Sequence, residues 1–128
     1  MLKDFRVAAI LPAADLDRTK KFYMEKLGLP EPEIVAPATL QFKCGKGSSL
    51  ILYQREAGTK AEHTVAGWLC DDVESTVDEL REKGIVFEQY DMPNLKTDKR
   101  GIAKLGQAKA AWFKDPEGNI LSITESQE

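Results

Sequence analysis

Ala8-Ala9-Ile10-Leu11-Pro12-Ala13-Ala14-Asp15-Leu16-Asp17-Arg18 is the stretch that decides how this chain folds. An apolar, strand-like run meets an aspartate able to cap free backbone N–H groups. Leu16, Tyr23 and Leu27 then recur at helical spacing, with Phe22 beside them, until Gly28 ends the helix. The same order returns from Val65 to Gly84. There a strand-like run leads to Asp71-Asp72-Val73-Glu74, in which Asp71 and Glu74 have capping-box spacing. Val73, Val77 and Leu80 follow on one side, and Gly84 stops the helix after Arg81-Glu82-Lys83. Strand, aspartate, helix, glycine, strand thus occurs twice, and agreement in order and capping points to duplication of one unit.

The remaining strands are expected at Phe5 to Leu11, Glu33 to Val35, Thr39 to Cys44, Ser49 to Gln54, Thr64 to Cys70, Ile85 to Glu88, Ala108 to Lys114, and Asn119 to Glu125. Gly45-Lys46-Gly47 and Asp115-Pro116-Glu117-Gly118 are the turns of two hairpins. Each half therefore reads as β-α-β-β-β, module one over 1–57 and module two over 62–128, within a single domain of 128 residues. Gln89 to Gln107 shows no period. A loop of that length is functional, mobile, or hides elements that the pattern does not reveal.

Composition narrows the classes of function. An apolar share of 42% with 30% charged residues suits a globular core, and no apolar run reaches the ~20 residues of a membrane span. Charges at Lys3, Asp4 and Arg6 stand where a signal peptide would be apolar, so a cytoplasmic location is expected. A net charge of −3 argues against nucleic acid as a partner, and the basic cluster Lys96 to Arg100 with Lys104 reads as a solvated loop. The charged positions Arg18, Lys20 and Lys21 read as solvated helix surface. Cys44 and Cys70, each in an apolar run, are expected to be buried thiols rather than a disulfide.

Three segments carry a family resemblance. They are Leu11 to Arg18 leading into Phe22-Tyr23 and Leu27-Gly28-Leu29, then Asp71-Asp72-Val73, and Phe113-Lys114-Asp115-Pro116-Glu117-Gly118-Asn119. In these the chain resembles the vicinal-oxygen-chelate superfamily of glyoxalases, extradiol dioxygenases, fosfomycin-modifying enzymes and bleomycin-binding proteins. The resemblance implies an α+β fold in which paired β-α-β-β-β modules form a cupped mixed sheet with helices on its outer face. It also implies a homodimer.

In metal-dependent members of that family, each of four strands offers one inward His, Glu or Gln to a divalent ion. By this resemblance the four positions fall on Ala8, Ile51, Val65 and Ser122, none a usual ligand. No one-residue slip places two of His, Glu, Asp or Gln on these faces together. The expectation is therefore no metal and no other cofactor.

Strand alternation puts Ala8, Ile10, Ile51, Tyr53, Val65, Gly67, Leu69, Ile120, Ser122 and Thr124 on the inner face. Val7, Ala9, Leu11, Leu50, Leu52, Trp68, Leu121 and Ile123 then build the core under the helices. Ala8, Ala108, Ala110 and Ala111 leave volume for a pocket, in which Gln41, Tyr53, Trp112 and Ser122 would orient a ligand against Ile51 and Val65. Two functions compete. The first is metal-independent binding of an apolar or aromatic small molecule, as in the bleomycin-binding branch. The second is a lyase or dioxygenase relative with an atypical site, using Tyr53, Glu56 or the single histidine, His63, for proton transfer.

Overall fold

The computed structural model describes residues 1–125, so positions 126–128 of the expected second module lie outside the described residues. Two compact units are present, Met1–Lys60 with Pro116–Asn119, and Ala61–Asp115 with the segment from Ile120 onward.

In the first unit the strands are β1 (Ala8–Ala13), β2 (Glu33–Ala36), β3 (Thr39–Lys43) and β4 (Ser49–Gln54). They lie in the order β1-β4-β3-β2, with β1 parallel to β4 and the other pairs antiparallel. The parallel pair requires a crossover, and α1 (Leu16–Lys21) with the wider π-helical turn Phe22–Lys26 supplies it. Asp15 caps α1 as expected, its carboxylate accepting from the Arg18 N–H. The helix covers one sheet face. Leu11, Ala13, Leu40, Phe42, Leu50 and Leu52 from that face are buried with Thr19 and Tyr23, and the rings of Tyr23 and Phe42 lie 5.7 Å apart.

The helix start has a second cap. The Glu117 carboxylate accepts from the Ala14 N–H at 2.9 Å, the Asp15 N–H at 3.0 Å and the Thr19 hydroxyl at 2.9 Å. Arg18 lies beside it, its Nη2 donating to Pro116 O at 3.1 Å, so Arg18 is not the freely solvated charge that its helical position suggests. The turn Asp115 to Gly118 therefore carries a structural charge as well as reversing the chain.

In the second unit β5 (Thr64–Cys70), β8 (Ile102–Leu105), β9 (Ala108–Lys114) and β10 (Ile120–Glu125) repeat the pattern in the order β5-β10-β9-β8. Here α2 (Val73–Glu82) is the crossover, burying Val73 and Val77 on the face that carries Ala111, Phe113, Leu121 and Ile123. Its cap is Asp72, which accepts from the Glu74 N–H, not Asp71. The shorter link engages a donor two residues on, and the capping-box pairing does not form.

Several sequence expectations are corrected. Ile85 to Glu88 is not a strand. It makes only an isolated bridge from Phe87 to Phe113, and the fourth strand of the sheet is β8, inside the segment that had shown no period. That segment also holds a small hairpin of β6 (Asp91–Met92) and β7 (Leu95–Lys96). Gly101 admits β8 to the sheet. Its φ is +84, and a Cβ there would stand 2.8 Å from Phe87 Cβ and 3.0 Å from Glu88 O, so only glycine fits. Val7 precedes β1 and is 85% exposed instead of core. Trp68 faces the core side opposite Ile123 but is only half-buried, because β5 is an edge strand. Cys44 and Cys70 are half-buried thiols at strand ends, neither in a disulfide. Arg100 is held on α2 by Glu74 at 2.9 Å and Asp78 at 2.7 Å, so one member of the basic cluster serves as a tether. Among the described residues no helix is long and apolar enough to cross a membrane.

Burial pushes the Glu117 carboxyl up. The N–H groups of Ala14 and Asp15, the Thr19 hydroxyl and the Arg18 charge outweigh burial and hold it below the ordinary 4.5. A lowered folded value means that the carboxylate stabilises the fold above that pH and that its contribution is lost on acidification through the lower, folded value. Glu117→Gln should therefore cost about 1–3 kcal/mol at pH 7 by urea unfolding, because donors to a charged acceptor lose their partner. The gap between variant and parent should close at acid pH; a gap independent of pH would remove the charge from this account.

Candidate functional site

The face of the first sheet turned away from α1 is the open one. Ile10 pairs with Ile51 and Pro12 with Tyr53 across β1 and β4, while Gln41 pairs with Ile51 and Thr39 with Tyr53 across β3 and β4. Alternation thus brings Gln41, Ile51 and Tyr53 together, as the sequence led one to expect, and adds Ile10, which is 60% exposed. Gln41 is oriented by its neighbour, its Nε2 donating to Ser49 Oγ at 3.0 Å.

Beyond the end of β4 the face opens into a cleft of about 980 Å³, lined by Pro12, Tyr53, Arg55, Glu56, Gly58 and Lys60 among others. The Arg55 guanidinium carbon lies over the Tyr53 ring, 5.8 Å from its centroid. Arg55 was not singled out from the sequence. Continuing the alternation Ile51, Tyr53 by one more step past the strand end would have found it.

The second sheet treats its corresponding face differently. Trp112 pairs with Ser122, and both share this face with Ala110 and Thr124. Trp112 is buried in a cluster with Ala103, Ala110 and Ile120, against which Tyr90 and Leu95 pack. The Tyr90 and Trp112 rings meet edge to face at 5.7 Å. The volume left by the alanines is therefore filled by the chain's own segment around β6 and β7. Thr97 closes that segment, its hydroxyl accepting from the Tyr90 N–H at 2.8 Å while its own N–H donates to Tyr90 O at 2.9 Å. Burial first, and the nearby Glu88 charge second, push the Tyr90 phenol above its ordinary range.

Of the other expected residues, Val65 is the extra residue of a bulge in β5, since Thr64 pairs with Ile120 and Ala66 with Leu121. The Ser122 hydroxyl lies over Gly67, where any added Cβ would collide with it. His63 is exposed ahead of β5, whereas Glu56 lines the first unit's cleft with Tyr53.

The chain belongs to the Glyoxalase/Bleomycin resistance protein/Dioxygenase superfamily, which it matches over residues 6–123. Solved structures with the same fold include UcmS2, at 21% identity and a TM-score of 0.71, covering 95% of this chain and 98% of that one. TnmS3, an antibiotic binding protein from Streptomyces sp. CB03234, is 21% identical with a TM-score of 0.66, covering 96% of each chain. A lactoylglutathione lyase from Agrobacterium tumefaciens is 24% identical with a TM-score of 0.65, covering 95% of this chain and 93% of that one. No curated protein matches the sequence. At these identities the likeness establishes the fold.

The covering of Trp112 is testable by fluorescence. In a Trp68→Phe background, which leaves Trp112 as the only tryptophan, emission should be blue-shifted and shielded from acrylamide. Leu95→Ala and Tyr90→Ala should each shift it to the red and raise quenching. Unchanged quenching in both would show that the segment does not shield the ring.

Proposed function

We propose that this protein binds an apolar or aromatic small molecule on the open face of the first unit's sheet, without a metal. The observation that carries this reading is the contrast between the two sheets. Tyr90 and Leu95 pack over Trp112 on the second sheet's face and leave only Leu69, on the β5 edge, 75% exposed there, while the first sheet's face keeps Ile10 exposed and Ile51 and Tyr53 half-buried beside a cleft. Exposed apolar surface next to a concavity, with few placed polar groups such as Gln41 and Tyr53, is the general form of a small-molecule site.

The side chains at the family's metal positions support the metal-free part. Ala8, Ile51 and Val65 are hydrocarbon with no lone pair to offer a cation, and Ser122 brings only a neutral hydroxyl. These residues do not fit the family's metal. That a relative of the same fold is an antibiotic binding protein agrees with capture rather than turnover as the role of such a site.

Screening aromatic compounds by thermal shift should find ligands that raise Tm, and Tyr53→Ala should weaken the best of them about tenfold or more while changing stability little, because Tyr53 is half-buried at a surface. Leu52→Ala, on the opposite face of the same strand, should instead cost about 2–5 kcal/mol of stability. Calorimetry with nickel, zinc, manganese and iron(II) should show no stoichiometric tight binding. A tight one-to-one metal complex, or a Tyr53→Ala variant that binds as the parent does, would overturn the reading.

A further inference from the structure

Charge at the cleft says more about the ligand than its apolar floor does. Arg55 and Lys60 line the cleft with Glu56 as the one carboxylate among its lining residues. Two other arginines are matched to acids: Arg18 lies beside Glu117, and Arg100 binds Glu74 and Asp78. Among the described residues no carboxylate pairs with Arg55 or Lys60. Among the described residues the Arg55 side chain meets the Tyr53 ring alone.

A guanidinium held over an aromatic face is attracted through its charge, and its five N–H donors stay in its own plane, free to meet a second group at the edge. An arginine so placed is already ordered, which lowers the entropy cost of a two-point contact with a carboxylate. A cationic ligand would face repulsion from Arg55 and would compete with it for the Tyr53 ring. The excess is local. The chain as a whole carries −3, and screening confines charge effects in physiological salt to roughly 8 Å, so the cleft's two cations act on what enters it.

We propose that the ligand class of this site is the planar aromatic anion. Its ring lies on the Ile10–Ile51–Tyr53 face, and its carboxylate, or an equivalent pair of acidic oxygens, is gripped by Arg55 with Lys60 adding positive charge. Glu56 limits the pocket to a single such group. This assignment rests on the binding function proposed above and adds to it a sign of charge and a named grip.

The test uses the full chain and three probes that share one ring system: 2-naphthoate, 2-naphthamide and 2-naphthylmethylammonium, titrated by calorimetry at low and high salt. The naphthoate should bind about tenfold tighter than the amide, and the ammonium weakest, with only the naphthoate losing affinity as salt rises. Arg55→Gln should erase the preference for naphthoate over naphthamide while leaving the amide's affinity within about twofold, and Arg55→Lys should keep part of it, since charge remains and the planar fork is gone. Arg55 is exposed, so these variants should melt with the parent. Equal affinity for acid and amide, or an Arg55→Gln protein that still prefers the acid, overturns the anion assignment. If all three probes bind alike and all weaken in Tyr53→Ala, the pocket stands and only its charge selectivity falls; if none binds, the pocket reading itself fails.

Discussion

A buried carboxylate joins one end of the sequence to the other. The Glu117 side chain is 2% exposed, and burying a charge is costly unless every lone pair is engaged. Here two backbone N–H groups and a hydroxyl engage it, with Arg18 alongside. The donors lie at and just before the start of a short helix, six α-helical residues continued by a five-residue π-helical turn, too short to persist alone in water. Capping from a turn some hundred residues downstream is thus part of what makes α1 a helix, and α1 in turn buries Tyr23 and Thr19 under the first sheet. The Asp-Pro-Glu-Gly sequence of that turn therefore has two duties: proline and glycine bend the chain, and glutamate closes the first unit.

Duplication supplied two sheets with the same strand order, and the chain has used them unequally. Each sheet buries one face under its own helix. On the other face of the second sheet Tyr90 and Leu95 fill the space over Ala103, Ala110 and Trp112, leaving Leu69 exposed at the β5 edge. The counterpart of β8 in the first sheet is β2, and only residues 27–32 link the helical segment to it, against residues 83–101 between α2 and β8. Connection length explains the difference: the stretch before β8 is long enough to fold back on its sheet, and the one before β2 is not. The first sheet keeps Ile10 exposed beside half-buried Ile51 and Tyr53, and the ligand reading is attached to that face.

Unpaired arginine and lysine beside the same face give that reading its chemistry. A surface cation surrounded by water has little value for specificity. One set over an aromatic ring, at the margin of an apolar floor, can distinguish ligands by charge at little cost in ordering. The acidic balance of the chain as a whole says nothing of this, since net charge averages over groups already paired with one another.

Local pattern determined much of this protein before any contact was known. Both helix positions, the boundaries of β4, β5 and β9, and the shared sheet face of Gln41, Ile51 and Tyr53 were legible, because capping and alternation are short-range and each strand has one buried face. Tertiary structure alone decided the rest. Ile102 to Leu105 became a strand because Gly101 lets it approach Phe87, a requirement with no local signature. Asp72 rather than Asp71 caps α2 because cap geometry depends on where the preceding strand ends. Glu117 is a helix cap, and Trp112 lies beneath Tyr90, through contacts between residues distant in sequence, to which periodicity is blind. Propensity and alternation act over a few neighbours, whereas the burial of a charge or the covering of a face is settled by whatever segment the folded chain brings there.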